Sequence, residues 1–360
     1  MTGAVPIRIV HIIPRDGLGG VETAARSMAS REDLACDFHL LFIAGPTLAE
    51  GIARVEAPSP DSSSSPLAYL AILRRCLELD PDVVVASLWR SVPLLVALRL
   101  LLPRAKLVMT VNSGRAAHMI DSVLFRIGVR LADEVWSDSK TALVGRGVRA
   151  PHRVISFVAD RIAPAIDAAP RAHFTSWARL DRNKRFDIAL DLIANLEKRG
   201  LDPRFELYGP DGGELAALKR RAIALGIESR VHFHGPIEHA HLGQLSDGAS
   251  FFLLLSRFEG MAMACVEAMQ LGLVPVVTPA GEMALYVVPG ETGILVNPDI
   301  LDDTADEVSA LLADPARYHA TRARVIDHWR TASLYADDVC AAASALANRN
   351  FHDKLLADNG

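Results

Sequence analysis

Ile7-Arg8-Ile9-Val10-His11-Ile12-Ile13, continuing into Pro14-Arg15-Asp16-Gly17-Leu18-Gly19-Gly20-Val21-Glu22, is the stretch on which the fold turns. The β-branched run reads as a buried strand, the glycines as a turn, and the pattern after them predicts a helix over about 21–30. The same unit recurs downstream. Strands are expected at 38–43, 82–87, 106–111, 134–137 and 153–156, with a helical segment over 91–102. Strand–helix alternation of this kind makes parallel βαβ units whose sheet is covered on both faces. Asp61-Ser62-Ser63-Ser64-Ser65-Pro66 reads as a mobile surface loop, because the units resume beyond it.

A break comes between Ala159 and Pro170, where Pro164 and Pro170 interrupt any long pattern. The alternation then restarts, with strands expected at 174–177, 204–209, 231–235, 251–255 and 274–277 and an amphipathic helix over 186–199. The expected fold class is therefore α/β, with two doubly wound halves. The expected domains are 1–165, 166–330 and a helical segment, 331–360, packing near the hinge or back on the first half. Ligands in such sheets sit beyond the carboxyl ends of the strands, so two facing sheets leave a cleft between them.

Composition narrows the function. Of 360 residues, 50% are hydrophobic and 22% charged, which excludes wholesale disorder. The net charge of −5 carries no basic excess, so no nucleic-acid partner is expected. Cys36, Cys76, Cys265 and Cys340 lie far apart without a CxxC pair. A disulfide scaffold or structural zinc site is not expected, and a reducing cytoplasm fits best. The N-terminus lacks the pattern of a signal peptide. The greasiest stretch, 92–102, is too short to span a bilayer and contains Arg99.

Three stretches could carry chemistry. The Gly17–Glu22 loop could admit an anion to backbone N–H groups at a helix start, or be only a tight turn. It fails the GxGxxG dinucleotide spacing, because Glu22 falls where the last glycine belongs. Arg179 and Lys184 lie in a basic loop before a helix, suited to a diphosphate; a solvated loop is the plainer alternative. Glu259 and Glu267 flank seven residues that are Gly or apolar. A carboxylate in an apolar helix is costly to bury without a partner, so Glu267 in particular points to hydroxyl recognition. Asp80-Pro81-Asp82 spells a metal-binding DxD but sits at the start of a strand, and His232 and His234 lack further ligands at metal spacing. No metal site is expected.

In this order on two βαβ halves, these features resemble the retaining glycosyltransferases of family 4, which have the two-domain GT-B fold of two Rossmann-like domains facing an interdomain cleft. The resemblance is densest over 174–298. It includes Leu207-Tyr208-Gly209-Pro210-Asp211-Gly212-Gly213, the Glu259/Glu267 pair and Gly290-Glu291-Thr292-Gly293. It implies that Arg179 and Lys184 hold the donor diphosphate, with Gly209 also on the donor side. Glu267 would take the nucleotide ribose and Glu259 the donor hexose, while Gly19 and Gly20 face the phosphate or acceptor. Several positions depart from the family's pattern, among them Phe157-Val158 where an Asn-Gly pair is usual and Glu282 where a second Gly is usual. Asn112 and Ser87 stand where a His is usual, and Leu285 stands where a Glu is usual. Asn112 and His118 are the acceptor-side candidates.

The implied activity is transfer of a sugar from a nucleoside diphosphate sugar to a hydroxyl, with retention and without metal or cofactor. The implied setting is bacterial polysaccharide or glycolipid synthesis. Partners would be the nucleotide-sugar donor and a saccharide or lipid-linked acceptor. The expected location is cytoplasmic, with peripheral contact at the inner face of the membrane left open through 89–106. A degenerate nucleotide binder and a nucleotide-sugar epimerase are the rival readings. A phosphorylase or a dinucleotide oxidoreductase fits less well.

Overall fold

The structure is a computed structural model. It describes residues 6–17, 19–45, 54–57, 64–116, 118–166, 168–246 and 248–357, apart from the side chains of 240, 246 and 349–357. Residues 61–63 of the serine run and Leu18 of the glycine loop lie outside the described residues. The chain divides into two compact units. One comprises 1–160 with 333–360, the other 161–332, against the expected divisions at 165 and 330.

The first unit holds strands β1 (Arg8–Arg15), β2 (Asp37–Ala44), β3 (Val55–Glu56), β4 (Val83–Ala86), β5 (Lys106–Val111), β6 (Glu134–Ser137) and β7 (His152–Val154). Its helices are α1 (Gly20–Ala29), α2 (Pro66–Leu79), α3 (Val92–Leu101), α4 (Met119–Leu131) and α5 (Lys140–Gly145). The strands form one parallel sheet in the order β3-β2-β1-β4-β5-β6-β7. The order reverses between β1 and β4, paired from Ile9 opposite Val83 to Ile12 opposite Ala86. That reversal is the switch point where such sheets open a crevice at their carboxyl ends. The continuous apolar runs follow from burial on both faces, since every residue of β4 is buried.

The second unit repeats the plan. Its strands are β8 (His173–Trp177), β9 (Arg204–Tyr208), β10 (Val231–Gly235), β11 (Phe251–Leu254), β12 (Val274–Val277) and β13 (Ile294–Leu295). Its helices are α6 (Phe186–Lys198), α7 (Leu215–Leu225), α8 (Met263–Leu271), α9 (Met283–Tyr286), α10 (Leu301–Ala313) and α11 (Pro315–Arg330). The parallel sheet runs β10-β9-β8-β11-β12-β13, and its switch point lies between β8 and β11. Phe174, Phe251, Phe252, Phe205 and Phe186 fill its core, with Phe174 stacked on Phe251 at 5.1 Å.

The short β3 and β13, two residues each, carry too little pattern to be foreseen. The last helix, α12 (Tyr335–Ala357), belongs to the first unit, where Tyr335 N–H donates to Val158 O and Asp338 accepts from Ser156 N–H. Cys36 and Cys340 form a disulfide there, which corrects the expectation of a chain without one. A separation of 304 residues hides the pairing from any spacing rule. Cys76 and Cys265 are free and buried. Segment 89–106 is also clarified: Val92, Leu94, Leu95 and Leu98 of α3 are buried in the core, and Arg99 is bound to Leu131 O and Asp133. Among the described residues no helix is long and apolar enough to cross a membrane.

Candidate functional site

In the second unit the loops after β8 and β11 meet at the switch point. Asn183 stitches them: its Nδ2 donates to Phe258 O at 2.9 Å, and Phe258 N–H donates to its Oδ1 at 3.1 Å. Arg257 N–H donates to Asn183 O at 2.8 Å. Both loops end in left-handed non-glycine residues, Arg185 at φ 50° before α6 and Ala262 at φ 59° before α8. Such backbone costs of order 1–3 kcal/mol and persists only where the surroundings fix it, often at functional sites. The third loop, after β12, joins through Gly281, where φ is +60° and a Cβ would collide with Gly260 O.

This stitching brings Lys184 and Glu259 together. Lys184 Nζ donates to Glu259 Oε1 at 2.6 Å, with the side chains 19% and 12% exposed. Arg179 is exposed and forms no ion pair with a described residue. Asp181 Oδ1 accepts from Asn183 N–H and Lys184 N–H in the loop ahead of α6, a helix whose own start has no side-chain cap. Asp211 does the same ahead of α7, and its bonds from Leu215 and Gly213 N–H hold its carboxyl below the usual value. The start of α8 has no side-chain cap. The starts of α6 and α8 are thus both without a side-chain cap, and they follow the loops that carry Lys184 and Glu259.

Glu267 is buried, at 8% exposure, and each oxygen has a protein partner. Trp177 Nε1 donates to Oε2 at 2.8 Å, and His239 Nε2 lies 3.0 Å from Oε1. Neither partner was foreseen from the sequence. Trp177 ends β8 inside a strand pattern, and His239 lies in an irregular 3-10 segment 28 residues away. A carboxylate oxygen has two lone pairs, so both retain capacity for a substrate hydroxyl. Gly209 has φ +143°, and a Cβ there would collide with Ala178 O. Its glycine is required by the close approach of the β9 and β8 loops.

A neighbouring cavity of 220 Å³ is lined by Asp181, Arg182, Phe186, Asp187, Glu214, Leu218 and Arg257. It contains neither Lys184 nor either candidate glutamate. Glu206 gathers His232 and His234, yet among the described residues no group of three His, Cys, Asp or Glu is arranged to hold a metal. Asp82 of the DxD accepts from Arg8 N–H at the amino end of β4, away from the strands' carboxyl ends.

In the first unit Gly19 and Gly20 open α1, but Glu22 lies against Gly19, so closely that a Cβ there would meet its carboxylate. An anion at this helix start would face like charge. Arg26 holds the loop by donating to Asp16 Oδ1 and Gly17 O. Asn112 follows β5, where its Oδ1 is 3.3 Å from Thr110 Oγ1 and its buried Nδ2 has no partner among the described residues. His118 caps α4, its Nδ1 accepting from Asp121 N–H at 3.1 Å, and its ring meets Trp89 edge-on. Leu285 is exposed on α9.

Residues 167–328 match the family described as Glycosyl transferases group 1. A GDP-mannose:cellobiosyl-diphosphopolyprenol alpha-mannosyltransferase of Komagataeibacter xylinus is 32% identical over 169 residues, 46% of this chain and 43% of that protein. Its namesake from Xanthomonas campestris is 30% identical over 206 residues, 55% of this chain and 49% of the other. The chain thus spans less than half the length of either relative. Among solved structures, Anabaena HepE in complex with UDP-glucose superposes with a TM-score of 0.78 at 18% identity, covering 94% of this chain and 98% of that one. Sucrose-phosphate synthase from Thermosynechococcus elongatus gives 0.69, also at 18%, with 98% and 100% covered. At that identity the likeness establishes the fold, two Rossmann-like units of the GT-B class.

Proposed function

We propose, on the premise that this chain belongs to the glycosyl transferases group 1 family through residues 167–328, that it transfers a sugar from a nucleoside diphosphate sugar to a hydroxyl acceptor. The observation that carries the reading is the Lys184–Glu259 pair beside the uncapped start of α8, with Glu267 buried in the same helix. Glu267 would accept ribose hydroxyls on the lone pairs that Trp177 and His239 leave open. Glu259 would accept hydroxyls of the sugar.

As the anomeric C–O bond of the donor breaks, its electron pair moves onto the diphosphate. Lys184, the exposed Arg179 and the α8 N–H groups would stabilise that growing charge, commonly the largest contribution to catalysis. The acceptor oxygen bonds to the anomeric carbon, and its proton passes to the departing phosphate oxygen on the same face. Configuration is then retained, and the step needs no protein nucleophile, metal or cofactor. Product anomer by NMR and insensitivity to EDTA test those two points.

The decisive experiment is a thermal-shift panel of UDP-, GDP- and ADP-sugars. GDP-mannose and UDP-glucose lead it, because the relatives and the solved neighbour carry those names. A ligand at ~100 times its Kd adds about 2.7 kcal/mol of stability. The shift should vanish in Glu267→Gln, which keeps the volume, and weaken in Lys184→Ala. No shift with any nucleotide would overturn the reading.

For a lipid-linked acceptor, two surfaces support membrane contact: 89–106, where Val96, Leu100 and Leu101 are exposed with Arg104, and α4. Its Met119, Ile120 and Val123 are exposed, with Arg126 and Arg130 beside them. Co-sedimentation with anionic but not neutral vesicles, lost in Ile120→Asp/Val123→Asp, tests the α4 surface. A nucleotide-sugar donor favours a cytoplasmic setting, whereas the disulfide favours a less reducing one. Quantifying the Cys36–Cys340 bond in cells alkylated before lysis decides between them.

A further inference from the structure

A continuous line of uncharged polar groups crosses the switch point of the first sheet. Tyr335 OH on α12 lies 3.3 Å from His11 Nδ1 on β1, and His11 Nε2 lies 2.8 Å from Ser87 Oγ, just past β4. Ser87 Oγ is 2.8 Å from Thr110 Oγ1 on β5, which is 3.3 Å from Asn112 Oδ1. Tyr335, His11, Ser87 and Thr110 are all buried. The line ends at Asn112 Nδ2, which is shielded from solvent and has no partner among the described residues. None of the four buried groups was singled out for this role by the charged motifs of the sequence.

Counting protons fixes the direction. Each hydroxyl has one hydrogen, and a neutral imidazole has one N–H. Burial lowers the His11 pKa from 6.5 to about 3, so the ring is neutral. With Tyr335 donating to Nδ1, His11 donates from Nε2 to Ser87, Ser87 to Thr110, and Thr110 to Asn112 Oδ1. Every donor before the last then has an acceptor. The reverse direction flips the amide and leaves the buried Tyr335 hydroxyl with no acceptor among the described residues, which is costly for a group cut off from water. The forward order leaves one orphan, an amide donor at the carboxyl end of β5.

We propose that Tyr335, His11, Ser87 and Thr110 are positioning residues that hold the Asn112 amide with Nδ2 presented to a hydroxyl oxygen of a saccharide acceptor. This rests on the glycosyltransferase reading. The ligand is a neutral hydroxyl rather than a phosphate because the line carries no charge and the carboxylate of Glu22 stands at the same end of the sheet. Asn112 leads into a loop whose Ser113, Arg115 and Ala116 are exposed, so a ligand reaches the amide by displacing loop rather than sheet.

The test is NMR on the full 15N-labelled chain with saturating GDP or UDP. The probes are methyl α-D-mannopyranoside, methyl β-D-glucopyranoside and inorganic phosphate. His11 should show the Nε2–H tautomer; the Nδ1–H tautomer overturns the proposal. The Asn112 side-chain amide should give two separate proton resonances that shift saturably with a methyl glycoside. Thr110→Val, nearly the same shape, should displace those resonances and weaken binding about three- to tenfold, the worth of one hydrogen bond. Thr110→Ser should restore both. If Thr110→Val loses the fold, judged by amide dispersion, Asn112→Ser supplies the same binding comparison. An amide moved by phosphate alone, or by neither glycoside, overturns the proposal. The Trp177 indole reports donor binding in the same sample when GDP-mannose or UDP-glucose is added. If it responds while Asn112 stays silent, only this proposal fails; if both stay silent, the transferase reading fails with it.

Discussion

The two switch points share a topology and differ in kind. At β8/β11 the polar groups are ions: Lys184 on Glu259, Glu267 held by an indole and an imidazole, and Arg179 exposed. At β1/β4 the line from Tyr335 to Asn112 is neutral, the ion pair of Arg26 with buried Asp16 braces the loop after β1, and a carboxylate, Glu22, guards the helix start where an anion would dock. Buried ions are tolerable only when paired and hydrogen-bonded, whereas neutral groups need only their hydrogen bonds. The difference suits a division in which one sheet answers charge developing on a leaving group and the other gives direction to a hydroxyl. Backbone strain does not follow the same split, because Leu88, two residues past β4, also has a positive φ, 64°. The ionic loops carry Arg185 and Ala262 in left-handed conformations before α6 and α8.

The most damaging test of this contrast is Lys184→Ala. Removing a cation from the developing diphosphate charge should lower the transfer rate ~100- to 1000-fold, measured with labelled donor at saturation. A loss below tenfold would shift the burden to Arg179 and blur the ionic character assigned to this loop.

Reduction of Cys36–Cys340 comes next, because it affects only the first unit. A bond closing so long a loop typically contributes about 2–4 kcal/mol. Hydrogen exchange should show faster opening of α1, β2 and α12 in reductant, with β8 and β11 unchanged. Equal acceleration in both units would show that their stabilities are not separable.

The neutrality of His11 makes a third prediction, with a sign. Unfolded, it takes a proton near pH 6.5; folded, only near pH 3. Between those values the unfolded chain binds more protons, so stability is intact above about pH 6.5 and falls as pH drops. The slope is about 1.4 kcal/mol per pH unit until the folded ring titrates. Urea titrations at several pH values should show this slope, and His11→Gln should flatten it. The smallest effect is expected from Asn183→Ala. Losing its two side-chain bonds to Phe258 should cost about 1 kcal/mol and slow transfer without altering nucleotide affinity at the Trp177 indole.

The amino-acid sequence by itself determined the strand–helix rhythm, because both faces of each sheet are covered and the strands must be continuous apolar runs. The runs at 106–111, 134–137 and 274–277 reappear as β5, β6 and β12 with the same ends. It also exposed Lys184, Glu259 and Glu267 as charges in places where charge needs a reason. What only the tertiary structure decided is partnership. Trp177 and His239 on Glu267, Tyr335 on His11 and Cys36 with Cys340 join residues 28 to 324 positions apart. The physical reason is that periodicity records which face of an element is covered, a local property. A hydrogen bond or a disulfide depends on which distant groups the sheet order sets side by side, and that order is fixed only when the whole core has packed.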